Sequence, residues 1–139
     1  MSTARVPTFA QALPSARYLL LTTYRRDGTA VATPVWFASN GSRLLVWTDA
    51  RSGKVRRIRH DCRVTLRTCT LRGKATSGAV EATASVLPAE QGPATQRLLD
   101  RRYGLIMWLY RVYTRRASRA GTPAYLGIDH ATSEPVVVR

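Results

Sequence analysis

The sequence predicts a mainly β protein, a small antiparallel barrel of six or so strands with helices packed outside it. Short segments with strand character follow one another along the chain, and the tight-turn pairs Asp27-Gly28 and Asn40-Gly41 separate the first three. Segments with helical features interrupt this series rather than alternating regularly with the strands. Runs of antiparallel strands interrupted by helices favour a barrel over a doubly wound parallel sheet.

The predicted strands are Tyr18–Tyr24, Thr29–Ala38, Arg43–Thr48, Cys62–Leu71, Ala79–Leu87 and Pro123–Asp129. The alternation is clearest in the fifth, where Val80, Ala82, Ala84 and Val86 are expected to face inward. Three helices are predicted: Ser52–His60, with Ser52 as its cap, then Pro88 to about Tyr103, with Gly104 as its stop, and Leu105–Arg119. A helical turn is expected near the N-terminus.

The length of 139 residues fits one domain spanning residues 1–139. The N-terminal segment has no apolar core and carries Arg5 and Pro7, so it does not read as a secretory signal. The most apolar stretch, Leu105–Tyr110, is far shorter than the roughly 20 residues that span a bilayer. We therefore expect a cytoplasmic protein.

The charge is unusual, because 22 Lys and Arg residues against 8 Asp and Glu residues give a net charge of +14. Such a surplus implies an acidic partner, which could be nucleic acid, anionic lipid or a small ligand with several negative charges. The strands lack the exposed aromatic ladder, interleaved with Lys and Arg, that stacks bases, so no nucleic-acid partner is expected. The only two cysteines, Cys62 and Cys69, show neither metal-ligand spacing nor strand geometry for a disulfide.

Several catalytic signatures are missing from the sequence. No G-x-S-x-G motif occurs, and His60 and His130 are the only histidines available to a hydrolase triad. No G-x-G-x-x-G follows a predicted strand, which argues against a nicotinamide-binding Rossmann site. No metal site is expected.

The segment Thr48–Arg57 joins the third strand to the first long helix and is a candidate phosphate site. Free backbone N–H groups and the positive end of the helix dipole converge at a helix start. Ser52 adds a hydroxyl, Gly53 allows close approach of the backbone, and Lys54 and Arg57 add charge. A solvated basic helix is the competing interpretation of the same residues.

The segment Thr33–Phe37 is a second candidate site because Pro34 removes a ladder hydrogen bond. A strand carrying proline in this way is expected at an edge or bulge, with backbone groups free to meet a flat ligand. Trp36 could lie beside such a ligand or belong to the core.

These motifs together resemble the pyridoxamine 5'-phosphate oxidase-like split β-barrel family, in particular its F420-dependent oxidoreductase subgroup. The resemblance runs from about Tyr18 to Leu87, and the strand near Ala124–Ile128 fits the family's closing strand. It is carried by Leu21-Thr22-Thr23, Asp27-Gly28, Thr33-Pro34-Val35-Trp36-Phe37, Thr48, Ser52-Gly53-Lys54-Val55-Arg56, Val64-Thr65-Leu66 and Arg72-Gly73.

The resemblance implies a homodimer with two cofactor sites at the subunit interface. The cofactor phosphate would lie at Ser52–Val55 with Lys54 as its main charge, and Thr48 and the backbone from Thr33 through Pro34 and Val35 to Trp36 would contact the tricyclic ring. Arg57 stands where the family often has asparagine. The oligoglutamate tail of F420 would give the positive surplus a partner, with candidate contacts at Arg51, Arg56, Arg57, Arg72 and Lys74.

The implied activity is hydride transfer from the reduced deazaflavin to an unsaturated or conjugated small molecule. Three alternatives stay open: an FMN-binding protein of the same fold, a heme-binding one, and an F420-binding protein without turnover. Tyr18, Tyr24 and His60 are candidate proton donors, although no partner in the sequence would tune their pKa values. The Arg-rich segment Leu105–Arg119 is compatible with tail binding, a lid or contact with an anionic membrane surface.

Overall fold

A computed structural model of the protein describes residues 7–41, 43–106, 109 and 123–130. The helices are α1 (Phe9–Ala12), α2 (Gly53–His60) and α3 (Gly92–Tyr103), with 3-10 turns at Leu13–Ser15 and Ala89–Gln91. The strands are β1 (Tyr18–Tyr24), β2 (Ala30–Val35), β3 (Phe37–Asn40), β4 (Arg43–Asp49), β5 (Arg63–Cys69), β6 (Val80–Val86) and β7 (Pro123–His130).

All seven strands form one antiparallel sheet in the order β2-β1-β5-β6-β7-β4-β3. The first and last strands of this order, β2 and β3, are separated in the chain by Trp36 alone. The two edges of the sheet therefore meet at Trp36, and the sheet curls into a split barrel. The predicted fold class is confirmed, with seven strands where six or so were expected.

One predicted strand is wrong in its extent. Thr29–Ala38 was expected to be continuous, but it divides at Trp36 into β2, which pairs with β1, and β3, which pairs with β4. The chain leaves one sheet edge and joins the other at this point. Both halves keep an extended backbone, which is why the residue pattern reads as a single strand.

The barrel interior is apolar because alternate residues of each strand face it. Leu21 of β1 lies opposite Thr33 of β2 on one side and Leu66 of β5 on the other. In β6 the predicted inward positions are confirmed, since Ala82 and Ala84 are buried and their neighbours Glu81, Thr83 and Ser85 are exposed. Phe9 of α1 and Ile58 of α2 join the same core.

A smaller apolar cluster lies beneath α3. Ala38, Leu99 and Tyr103 are buried there, with Trp36, Trp47, Leu98 and Tyr125 packed against them. Gly104 follows α3 with φ +59°, consistent with its predicted role as a stop.

Most of the predicted helix Leu105–Arg119 and the last residues of the chain lie outside the described residues. Where the structure does describe that segment, Leu105, Ile106 and Leu109 are exposed. No helix in the described part of the chain is long and apolar enough to cross a membrane.

Candidate functional site

The start of α2 is built by the turn that follows β4. The Asp49 carboxylate accepts a hydrogen bond from the Arg51 N–H at 2.8 Å, and the Asp49 carbonyl accepts one from the Ser52 N–H at 2.9 Å. Ser52 is extended, with φ −66° and ψ 153°, and the helix begins at Gly53. The N–H groups of Gly53 and Lys54 therefore precede the first helical hydrogen bonds and point out of the helix end, where an anion is favoured.

Ser52 does not cap α2 with its side chain, contrary to prediction. Its hydroxyl lies instead 3.2 Å from the Thr48 hydroxyl, at the end of β4. Thr48 is buried, so it holds the Ser52 hydroxyl back from the first-turn amides. The helix start is left without an internal acceptor, which keeps its amides available to an external one.

Arg57 reaches back over the helix start. Its Nε donates a hydrogen bond of 2.6 Å to the hydroxyl of Thr23, which is fully buried in β1. A Cβ added at Gly53 would lie 2.5 Å from Nη1 of Arg57. Gly53 therefore permits the guanidinium to lie against the helix backbone, beside the first-turn amides.

The cations at this site repel one another and lack a matching anion. Burial lowers the pKa of the Lys54 ammonium, the Arg57 guanidinium lowers it further, and Asp49 partly opposes both effects. Burial also lowers the pKa of Arg57, followed by the charges of Arg25 and Arg56. Within the described residues, the ion pairs are Arg43–Asp129 and Arg63–Asp61, and neither involves these cations.

Thr33 presents a polar atom that needs a partner. Its hydroxyl oxygen is buried and has no hydrogen-bond partner among the described residues. Thr33 lies opposite Leu21, two residues along β1 from the Thr23 that binds Arg57, so both threonines belong to the same face of the sheet. A buried hydroxyl without a partner is costly, and a bound ligand would supply one.

Other predicted residues of β2 and α2 can offer only their backbone. The side chains of Val35 and Val55 are 5% and 1% exposed and face the core. Pro34 is exposed on β2, which is an edge strand as its proline predicts. Gly73, with φ +87°, brings the turn containing Arg72 and Lys74 against the Pro34 ring.

Trp36 occupies the junction between β2 and β3. Its indole is half-buried and lies on the Tyr103 ring, with ring centroids 4.8 Å apart and planes inclined by 32°. This packing agrees with the interpretation of Trp36 as a core residue. It also fixes the backbone that was predicted to contact the tricyclic ring of the cofactor.

The remaining candidate residues are more dispersed. Arg51 and Arg56 are exposed around the start of α2, and His60 is exposed at its other end. The Tyr24 hydroxyl shares a 2.6 Å hydrogen bond with the Thr65 hydroxyl. Both cysteines are free thiols, Cys62 exposed and Cys69 buried. The described residues contain no group of three or more His, Cys, Asp or Glu side chains that could hold a metal ion.

The prediction missed Thr23, Arg25 and Tyr103. Thr23 anchors Arg57, Arg25 adds charge beside it, and Tyr103 supports Trp36. Thr23 and Arg57 are 34 residues apart in the chain, and Tyr103 lies still farther from Trp36. The inward position of Thr23 in a Leu-rich strand was the one available signal, since a buried hydroxyl requires a partner.

The curled seven-stranded sheet with its outer helices defines a small split-barrel protein. The family model for pyridoxamine 5'-phosphate oxidase matches residues 6–125, and the chain belongs to that family. No curated protein matches the sequence.

Solved structures share the fold at low sequence identity. The heme storage protein HutZ from Vibrio cholerae superimposes with a TM-score of 0.63 and 13% identity, covering 88% of this chain and 90% of that one. An FAD-binding protein from Mesorhizobium loti gives 0.59 and 17%, covering 88% and 84%. An F420 reductase gives 0.55 and 19%, covering 84% and 87%. These likenesses establish the fold.

Proposed function

We propose that the protein binds coenzyme F420 at the start of α2 and acts as an F420-dependent oxidoreductase. The observation that carries the proposal is the unmatched positive charge of Lys54 and Arg57 beside free helix amides. These residues fit a phosphate, because its oxygens accept hydrogen bonds from N–H groups and its charge offsets the repulsion between the cations.

The residues of β2 fit the ring system of such a cofactor. The unpartnered Thr33 hydroxyl would gain a hydrogen bond from a polar edge of the ring. The backbone of Pro34 and Val35 follows on the edge strand β2 and that of Trp36 just after it, and Tyr103 holds this backbone in place through Trp36. Thr48 would contribute from β4 by way of the Ser52 hydroxyl.

The number of cations favours F420 over FMN. Among the described residues, Asp49 is the one carboxylate that offsets the Lys54 charge, whereas Arg25, Arg56 and Arg57 add to the positive charge of the site. FMN brings a single phosphate to such a site, whereas F420 also brings the carboxylates of its oligoglutamate tail. We call the free amides at the start of α2, together with Lys54 and Arg57, the cradle. Arg51 lies exposed beside it, and the turn bearing Arg72 and Lys74 adds two cations next to Pro34.

Reduced F420 supplies a hydride, and an unsaturated or conjugated small molecule would receive it. The task of this chain is then to hold the phosphate with Lys54 and Arg57 and to orient the ring along β2. We further propose that the protein is a homodimer with the cofactor at the subunit interface, as its family membership suggests.

FMN, FAD and heme are competing ligands, because solved structures of this fold include an FAD-binding protein and a heme storage protein. A non-catalytic F420-binding protein would use the same cradle. A heme protein would show a Soret band. F420 binding without oxidation by any acceptor would identify a carrier.

The first experiment is titration of the full chain with F420 and with FMN, followed by tryptophan quenching. Lys54→Ala should weaken F420 binding at least tenfold, because it removes one of the two cations that would pair with the phosphate. Arg59→Ala is the matched control, since Arg59 is an exposed cation on the same helix and should leave the affinity within twofold. Binding of FMN instead of F420 would support the phosphate site at the start of α2 but refute the assignment of F420 as the coenzyme. Binding of neither would overturn the proposal.

A further inference from the structure

A surface cavity of about 430 Å³ lies between α1 and the end of β5. Its wall includes Ala12, Ser15, Arg17 and Tyr18 on one side and Cys69 and Thr70 on the other. The volume lies within the range of roughly 300–1,000 Å³ that small-molecule sites occupy. Tyr18 and Thr23 stand at opposite ends of β1, about 17 Å apart for an extended strand, so this cavity is separate from the phosphate cradle.

The shape of the cavity is fixed by α3. The Ala16 carbonyl accepts a hydrogen bond from Arg102, and the Arg17 carbonyl accepts one of 2.7 Å from the Tyr103 hydroxyl. The guanidinium of Arg102 also lies 4.4 Å from the centre of the Phe37 ring. These contacts hold the segment between α1 and β1 in one position, so the cavity is preformed and a ligand need not order its wall.

Among the described residues that line the cavity, one is charged, and its charge is positive. No carboxylate lines the cavity, and the Arg17 guanidinium and the Tyr18 hydroxyl have no partner among the described residues. The Thr70 hydroxyl accepts from the Lys74 N–H at 3.1 Å and keeps its own hydrogen available to donate. The Arg17 guanidinium and the hydroxyls of Tyr18 and Thr70 can each donate a hydrogen bond, which suits a ligand group that accepts hydrogen bonds.

The remaining wall is mixed, with an apolar part beside the polar side chains of Gln11, Ser15 and Thr76. Pro7, Ala12 and Ala16 contribute methyl and methylene surface. Burial raises the pKa of the Cys69 thiol to about 11, so at neutral pH this side chain is an uncharged sulfur surface and does not repel an anion.

We propose that this cavity is a second binding site, for a small carboxylate with an apolar, ring-sized body. The carboxylate pairs with Arg17 and accepts hydrogen bonds from the hydroxyls of Tyr18 and Thr70. The ring lies against Ala12, Ala16 and the Cys69 sulfur. The proposal does not depend on F420 binding, because no residue of the cradle takes part in it.

The test uses benzoate and its neutral analogue benzamide, each titrated into the ¹⁵N-labelled full chain and followed by amide NMR shifts. We expect saturable benzoate binding with the largest shifts at Ser15, Arg17, Tyr18 and Thr70. Benzamide should bind about tenfold more weakly, because it lacks the charge that pairs with Arg17. Equal affinities for the two probes, no saturable binding, or shifts centred on the start of α2 would each overturn the proposal.

Two pairs of variants locate the benzoate site. Arg17→Gln should weaken benzoate binding about tenfold and Arg59→Gln by less than twofold, since both remove an exposed cation but only Arg17 lines the cavity. Ala12→Phe fills the cavity and should abolish binding, whereas Ala10→Phe places the same ring on the exposed side of α1 and should not. The amide spectrum itself reports whether each variant is folded. Unchanged benzoate affinity in folded Arg17→Gln or Ala12→Phe protein would refute the site.

Discussion

Replacing Tyr103 by phenylalanine should destabilise the protein by about 1.5–4.5 kcal/mol, because its hydroxyl links the first residue of β3 to the residue that precedes β1. That hydroxyl accepts a 3.0 Å hydrogen bond from the Phe37 N–H and donates one of 2.7 Å to the Arg17 carbonyl. Phe37 is 1% exposed, so its N–H would be left buried without a partner, at a cost of about 1–3 kcal/mol. Arg17 is exposed, and its carbonyl can bond to water, so its loss is nearer 0.5–1.5 kcal/mol.

The measurement is urea unfolding followed by circular dichroism at one fixed protein concentration, since association would make the midpoint depend on concentration. Tyr18→Phe is the matched control: it removes the same atom from a hydroxyl that has no partner among the described residues, and it should change the free energy of unfolding by less than about 0.5 kcal/mol. Equal effects of the two substitutions would refute the role given to Tyr103. The ring and its packing on Trp36 are retained in Tyr103→Phe, so lost packing cannot produce the difference.

Three further outcomes are expected. Lys54→Met should stabilise the ligand-free protein at neutral pH, because burial and Arg57 lower the pKa of Lys54 in the folded state and its charge there opposes folding. This stabilisation should shrink as the pH rises through the folded pKa toward the ordinary lysine value. Urea unfolding midpoints measured over a series of pH values test it. A thiol reagent should modify the exposed Cys62 quickly in the native protein and Cys69 far more slowly, because Cys69 is largely buried and its pKa is raised to about 11; two fast native thiols would contradict this. Sedimentation equilibrium should give twice the chain mass of 15.4 kDa, whereas a monomer at all concentrations would exclude the dimer.

Much of the barrel could be predicted because most of its strands alternate between more buried and more exposed residues. β5 shows this directly, since Val64 and Leu66 are buried while Arg63 and Arg67 are exposed. Periodicity has no signal, however, for a strand that changes partners without changing its backbone. The division at Trp36 depends on which neighbours the two halves find, and those neighbours are distant in sequence.

In the candidate site, too, the local features could be predicted from the sequence and the long-range contacts could not. The helix start at Gly53 and the charge of Lys54 are local features, and a short segment was enough to suggest a phosphate. The orientation of Arg57 depends on Thr23 and therefore on the packing of α2 against β1. Local preference predicts that the Ser52 hydroxyl caps the helix. It lies next to the Thr48 hydroxyl instead, because the turn after β4 brings the two hydroxyls together.

The energetics of the cradle argue that its charges serve a ligand. A helix start with free amides favours anions, yet this one is surrounded by Lys54, Arg56 and Arg57, whose mutual repulsion opposes folding. A solvated basic helix would not need Arg57 to fold back over Gly53 and bond to a buried threonine. That hydrogen bond holds a cation where it is electrostatically unfavourable in the ligand-free protein. An anion bound at the amides reverses the sign of the interaction, so the same contacts that weaken the free protein strengthen the complex.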